Sequence, residues 1–157
     1  MARTVEGYCE EDEMIEGGCA CGGVRYRITG ETYDTGWCHC RLCQHMSGSG
    51  GLVFTTAALR DFAIVEGAER VATFASTPFG ERAFCRDCGS PLSIHVRHQP
   101  DEIDIAAGSL DDPEAARPGF HLYADDAPRW MNLDDDLPRF AALRPITRGL
   151  APGQTRA

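Results

Sequence analysis

Residues 36–45 read GWCHCRLCQH, three cysteines and two histidines within ten positions. A C-x-C-x-x-C cluster of this kind can wrap one metal ion by itself. Structural zinc takes four protein ligands, whereas three leave a coordination position where chemistry can take place. The fourth position above Cys38, Cys40 and Cys43 has two claimants. Cys9 could close it as a second tetrathiolate, or it stays open to water or a substrate thiol.

Moving outward, the chain has 157 residues and eight cysteines, Cys9, Cys19, Cys21, Cys38, Cys40, Cys43, Cys85 and Cys88. Seven of the eight lie in tight C-x-C or C-x-x-C groups, the spacing that metal sites use. The opening stretch MARTVEGYCEEDEMIEGG lacks the apolar core of a secretory leader. Cytoplasmic thiols in reducing conditions are the default expectation, which favours zinc over disulfides. GGCACGG (17–23) runs into the alternating VRYRITG (24–30), so Cys19 and Cys21 are expected at a strand entrance, both aimed to one side. FCRDCGS (84–90) is a C-x-x-C turn in which Gly89 can take a positive φ and bring backbone amides toward sulfur. Joined, Cys19, Cys21, Cys85 and Cys88 make a closed tetrathiolate holding distant parts of the chain together.

The rest of the sequence reads as short strands: 50–57, 61–67, 70–76, 81–84, 91–97 and 101–110 are rich in β-branched and aromatic residues, spaced as in an all-β domain. A helical turn is expected at LDDPEAA (110–116), with Asp111 or Asp112 as N-cap and Pro113 in the first turn. Another is expected at DDDLPRF (134–140). SGSGG (47–51) reads as a flexible loop beside the cysteine cluster. The organisation expected is an acidic N-terminal segment (1–14), one domain (15–143) and a Pro/Gly/Arg-rich tail (144–157).

Composition excludes several function classes. The formal net charge of −9 argues against a nucleic-acid partner, which clustered cations would bind. No apolar run is long enough for a membrane span. All fifteen basic residues are arginine, so no Schiff base can form on a lysine side chain. Arg25, Arg41 and Arg86 are the arginines near cysteine that could hold a substrate carboxylate. His39, between two ligands, should point away from them; His45 is near enough to move a proton; His95 and His98 read as strand-surface residues.

These segments also carry a resemblance. GGCACGGVRYRI, CHCRLCQHMSGS, RAFCRDCGSPL, AAGSLDDP and FHLYADDAPRW stand in the order seen in the glutathione-dependent formaldehyde-activating enzyme family, also called the centromere protein V family. The resemblance spans roughly residues 15–140. It implies a mainly β fold, a β-tent of small antiparallel sheets organised around two zinc ions. It implies a structural zinc on Cys19, Cys21, Cys85 and Cys88 and a catalytic one on Cys38, Cys40 and Cys43, with Cys9 outside the pattern. One departure is that Gln44 follows the third cysteine of the cluster, where family members usually carry a basic residue.

The function expected is that of a zinc-dependent carbon–sulfur lyase. A tri-thiolate zinc is a weak Lewis acid but suits an incoming thiol, such as glutathione, whose sulfur adds to an aldehyde such as formaldehyde. The alternative is a non-catalytic binding module with two structural zinc sites. Cys9 discriminates between them.

Overall fold

The computed structural model describes residues 14–144. Cys9, the acidic start and the tail from residue 145 lie outside the described residues. Ten strands, β1 (Ile15–Gly18), β2 (Arg25–Ile28), β3 (Thr32–Cys38), β4 (Leu52–Ala58), β5 (Phe62–Glu66), β6 (Val71–Thr77), β7 (Gly80–Cys85), β8 (Pro91–Val96), β9 (Glu102–Ala106) and β10 (His121–Leu122), surround one short helix, α1 (Arg41–Ser47). They form a three-stranded sheet in the order β1-β2-β5 and a seven-stranded sheet in the order β10-β3-β4-β9-β8-β7-β6. All pairings are antiparallel except β10 with β3. The fold is mainly β, as expected.

Alternation decides how the sheets face each other. In β2 the sequence RYRI buries Tyr26 and Ile28 completely and turns Arg25 and Arg27 outward. There the two arginines pair with Asp111 and Glu16. Tyr26 and Ile28 join Val24, Leu92, Ile103, Ile105 and Leu110 in one core that also holds the Cys19 and Cys85 side chains. Burying a large aliphatic or aromatic side chain stabilises by roughly 1.5–3 kcal/mol, so this core holds the small sheet against the large one. Among the described residues, no helix is long and apolar enough to cross a membrane.

The strands expected at 50–57, 61–67, 70–76, 81–84, 91–97 and 101–110 become β4 to β9. A 3-10 turn at Pro113–Ala115 carries Asp112 as N-cap, its carboxylate accepting from Glu114 N at 2.9 Å. Three expectations are corrected. Residues 134–140 are not helical: Asp135 accepts from Leu137 N, and the Pro138 carbonyl accepts from His121 N at 2.8 Å, which holds the segment extended beside β10. SGSGG is a closed helix terminus: Gly48 caps α1 at φ 66, Ser47 Oγ donates to Gly51 O at 2.9 Å, and Gly50 and Gly51 are buried. Cys19 and Cys21 lie in the turn between β1 and β2, so chain reversal, not strand alternation, brings their sulfurs together.

Candidate metal centres and the adjoining cleft

The first cluster is built from two hairpin turns, one from each sheet. The β1–β2 turn contributes Cys19 and Cys21; the end of β7 contributes Cys85 and the following turn Cys88. All four sulfurs lie within 4.8 Å of one another. Cys19 and Cys21 Sγ are 3.4 Å apart, and Cys21 and Cys85 Sγ 3.9 Å. Four thiolates around a zinc at about 2.3 Å would have sulfurs about 3.8 Å apart, so the donor set fits that ion. Gly89 has φ 77, as its place after the C-x-x-C requires, and its N–H returns to Cys85 O at 2.8 Å. Val24 N donates to Cys19 Sγ at 3.2 Å. The Ser90 hydroxyl, with its backbone N–H, brings the Cys88 thiol down to about 6. Both contacts favour thiolate, the ligand form.

The second cluster sits where β3 passes into α1. Cys38 ends β3, Cys40 is the N-cap of α1, and Cys43 is buried in its first turn. Their three sulfurs also lie within 4.8 Å of one another. Cys40 caps the helix with its sulfur, which accepts from Cys43 N at 3.4 Å. The helix thus starts on a thiol, not on the Ser, Thr, Asp or Asn that usually announces a start. Charge within the trio is unequal. Hydrogen bonds from Cys38 and then Cys43 pull the Cys40 thiol far below the usual range, while the same contacts, with burial, push Cys38 up. Three thiol donors at this spacing fit a divalent cation of zinc type.

His39 points away from the sulfurs, as its place between them requires. It is fully buried; Nδ1 donates to Gly50 O at 2.9 Å, and Nε2 meets His121 Nδ1 at 2.9 Å. His121 Nε2 reaches the Asp135 carboxylate at 3.1 Å, and Trp37 stacks on both rings. Gly50 O and the Asp135 carboxylate can only accept, and the histidine pair shares one hydrogen. Although desolvation opposes it, hydrogen bonds from His121 and Leu137 N hold the Asp135 carboxyl below its ordinary range. Gln44, directly after the third cysteine, is buried and donates to His39 O at 2.7 Å and Asp126 O at 2.8 Å.

The three sulfurs line a cleft of about 310 Å³ between β3, β7, β8 and the 120–123 segment. Gly36 lines it too; a Cβ there would lie 2.2 Å from the Phe120 ring, so only glycine lets that ring close the wall. Arg82, buried on β7, donates Nη2 to Cys43 Sγ at 3.4 Å and Nε to Ser76 Oγ at 3.2 Å, above the Phe54 ring. Arg25 is paired with Asp111, Arg86 lies exposed in the β7–β8 turn, and Arg41 is exposed and donates to Gln44. None of these three lines the cleft. His45 is exposed on α1 and lines a separate hollow with Trp130. Sequence reasoning passed over Arg82 and His121. Strand alternation places Arg82 in phase with buried Gly80, a signal that could have found it; His121 carries none.

A mainly β fold with two thiol clusters of metal-binding geometry, one closed and one opening on a cleft, defines a class of cysteine-rich metal-site proteins. Within it, this chain belongs to the glutathione-dependent formaldehyde-activating enzyme family, whose model matches residues 14–126. A Halomonas elongata protein, provisionally named a glutathione-dependent formaldehyde-activating enzyme, is 29% identical over 128 residues, covering 77% of this chain and 82% of its own. A Schizosaccharomyces pombe protein described as an uncharacterized lyase is 31% identical over 77 residues, 49% of this chain and 54% of its own. A crystal structure of a Rhodobacter sphaeroides protein superposes with a TM-score of 0.52 at 27% identity, covering 63% of this chain and 92% of that one.

Proposed function

We propose that the protein is a carbon–sulfur lyase acting on adducts between a small thiol and an aldehyde, with zinc held by Cys38, Cys40 and Cys43 and a second, structural zinc held by Cys19, Cys21, Cys85 and Cys88. The observation that carries this reading is that the trio, and not the quartet, faces a cleft. Family membership and a lyase-named relative support it. Both metal assignments rest on sulfur number and spacing.

The reaction is R–S–CH(OH)–R′ ⇌ R–SH + R′–CHO. In the synthetic direction the S–C bond forms, the carbonyl π electrons move to oxygen, and the thiol hydrogen ends on that oxygen. Zinc held by Cys38, Cys40 and Cys43 would supply a place for a thiol and would favour its deprotonation at neutral pH. The chain's own groups do the rest. The apolar walls exclude water around the sulfur. Arg82, fixed by Cys43, Ser76 and Phe54, is a preorganised cation beside the sulfurs where the carbonyl oxygen gains charge. We leave His45 out of the scheme, because it lies outside this cleft.

X-ray absorption on the purified protein, with and without a small thiol, tests the reading. Two zincs with a mean between three and four sulfurs, rising toward four on adding thiol, is the expected result. Two zincs already at four sulfurs and indifferent to thiol would mean that Cys9 closes the second site, leaving a binding module.

A further inference from the structure

The family name points to glutathione, but the cleft is poorly matched to it. At neutral pH glutathione carries two carboxylates, an ammonium and two peptide groups, each needing a polar partner once taken out of water. Among the described residues that line the cleft, Arg82 is the only cation; of the two carboxylates there, Asp34 is paired with Arg144, which lies over the Phe120 ring, and Asp104 accepts from Thr56 Oγ1 at 2.7 Å. Arg82 is already committed to Cys43 Sγ and Ser76 Oγ. Most of the remaining wall is hydrocarbon, from Leu42, Phe54, Phe79, Ile94, Val96 and Phe120. The volume of about 310 Å³ is at the small end of ligand pockets. It is still much larger than one-carbon formaldehyde needs.

We infer that the thiol handled by this site is apolar, with a compact aromatic or branched aliphatic group on its sulfur, and that the cleft walls select it by burying that group. The inference rests on the proposed open site at Cys38, Cys40 and Cys43 and names the substrate class for it. The thiol sulfur is directed to the trio, its hydrocarbon lies against Phe54, Phe79 and Val96, and the aldehyde approaches on the Arg82 side. An anionic thiol is disfavoured because its carboxylates would lose hydration against these walls, where Arg82 is already committed.

Cobalt-substituted full-length protein, titrated separately with 2-phenylethanethiol, 3-methylbutanethiol and glutathione, tests this through the visible spectrum. The four-thiol cluster is already complete and contributes a constant background. Both apolar thiols should change the spectrum at concentrations at least about tenfold below glutathione, a difference of about 1.4 kcal/mol. Glutathione acting at an equal or lower concentration overturns the inference and leaves the open site standing. No spectral change with any thiol overturns the open site, and the inference with it. Phe79→Arg adds a cation to the wall and should shift the preference toward glutathione by about tenfold; an unchanged preference places the selecting group elsewhere and overturns the inference. The comparison on the unaltered protein stands whether or not this variant folds.

Discussion

The two cysteine clusters differ in ways that invert a common intuition. In the quartet, Cys21 and Cys88 are exposed at the surface, yet on the proposed reading four thiols complete a ligand set and leave no place for a substrate. In the trio, Cys43 is buried and Cys38 and Cys40 half-buried, yet among the described residues the set has three thiols and faces a cleft. Exposure of a thiol therefore says little about its use; the number of ligands and what lies beyond them say more. The supports differ as well. Hairpin turns from two sheets hold the quartet, so its metal would join those sheets. A strand end and a helix start hold the trio, backed by two buried histidines.

The largest effect should separate the clusters by stability. Cys85→Ser puts a hydroxyl in the core and breaks the quartet. Because structural zinc supplies binding energy on the order of 10 kcal/mol to small domains, comparable to a whole domain's stability, the variant should lose its cooperative thermal transition. Cys43→Ser should instead keep that transition while lyase turnover falls to background. A calorimetric scan of both variants breaks the comparison if Cys43→Ser unfolds as readily as Cys85→Ser.

Next in size is the histidine support. Outer-shell partners commonly affect metal affinity by about 10–100-fold. His121→Ala, which strips His39 of its partner, should weaken the trio's zinc affinity by about that factor and leave the quartet's unchanged. Competition with a chromophoric chelator would show two classes of zinc drawing apart, and a uniform loss from both would contradict local support.

Arg82→Met keeps length and packing but removes the cation. A hydrogen bond to a charged group is worth about 1.5–3 kcal/mol, so kcat/KM should fall by about 10–100-fold with a Tm within a few degrees of the parent. Loss of folding without separate loss of turnover would make Arg82 a packing residue.

The smallest effect concerns a partly exposed pair outside both clusters. The Arg25 hydrogen bond holds the Asp111 carboxyl below its usual value. Its stabilisation is therefore present above the unfolded carboxylate pKa and is lost as pH falls through the lower folded one. With both partners substantially exposed, Asp111→Asn should cost at most a few tenths of a kcal/mol at neutral pH. Denaturant melts of the parent and variant should converge in acid; a gap that persists there would show that charge is not the cause.

Much of this was legible in the sequence where the signal was local. The partition of seven cysteines followed from spacing, β4 to β9 from runs of β-branched and aromatic residues, and the 3-10 turn after Asp112 from its cap and Pro113. What escaped depended on contacts far along the chain or on unusual chemistry. Helix α1 begins on a thiol cap, which is no ordinary start signal. β3, TYDTGWC, has Asp and Gly in its interior, residues that read as turn. β10 is two residues long and exists because β3 leaves an edge for Phe120 and Leu122 carbonyls to meet. The His39–His121 contact joins residues 82 apart, and no spacing rule reaches that far.

β10 also bears on the order of events during synthesis. Trp37 N and His39 N donate to Phe120 O and Leu122 O, and Pro138 and Phe140 then bond to His121. The cysteines that face the cleft are translated before the segments, 120–123 and 138–140, that form and back the wall behind them. The quartet has all its ligands once residue 88 has emerged and can bind metal then. A nascent chain could thus fill the proposed scaffold site while the proposed reactive site still waits for residues 120–140.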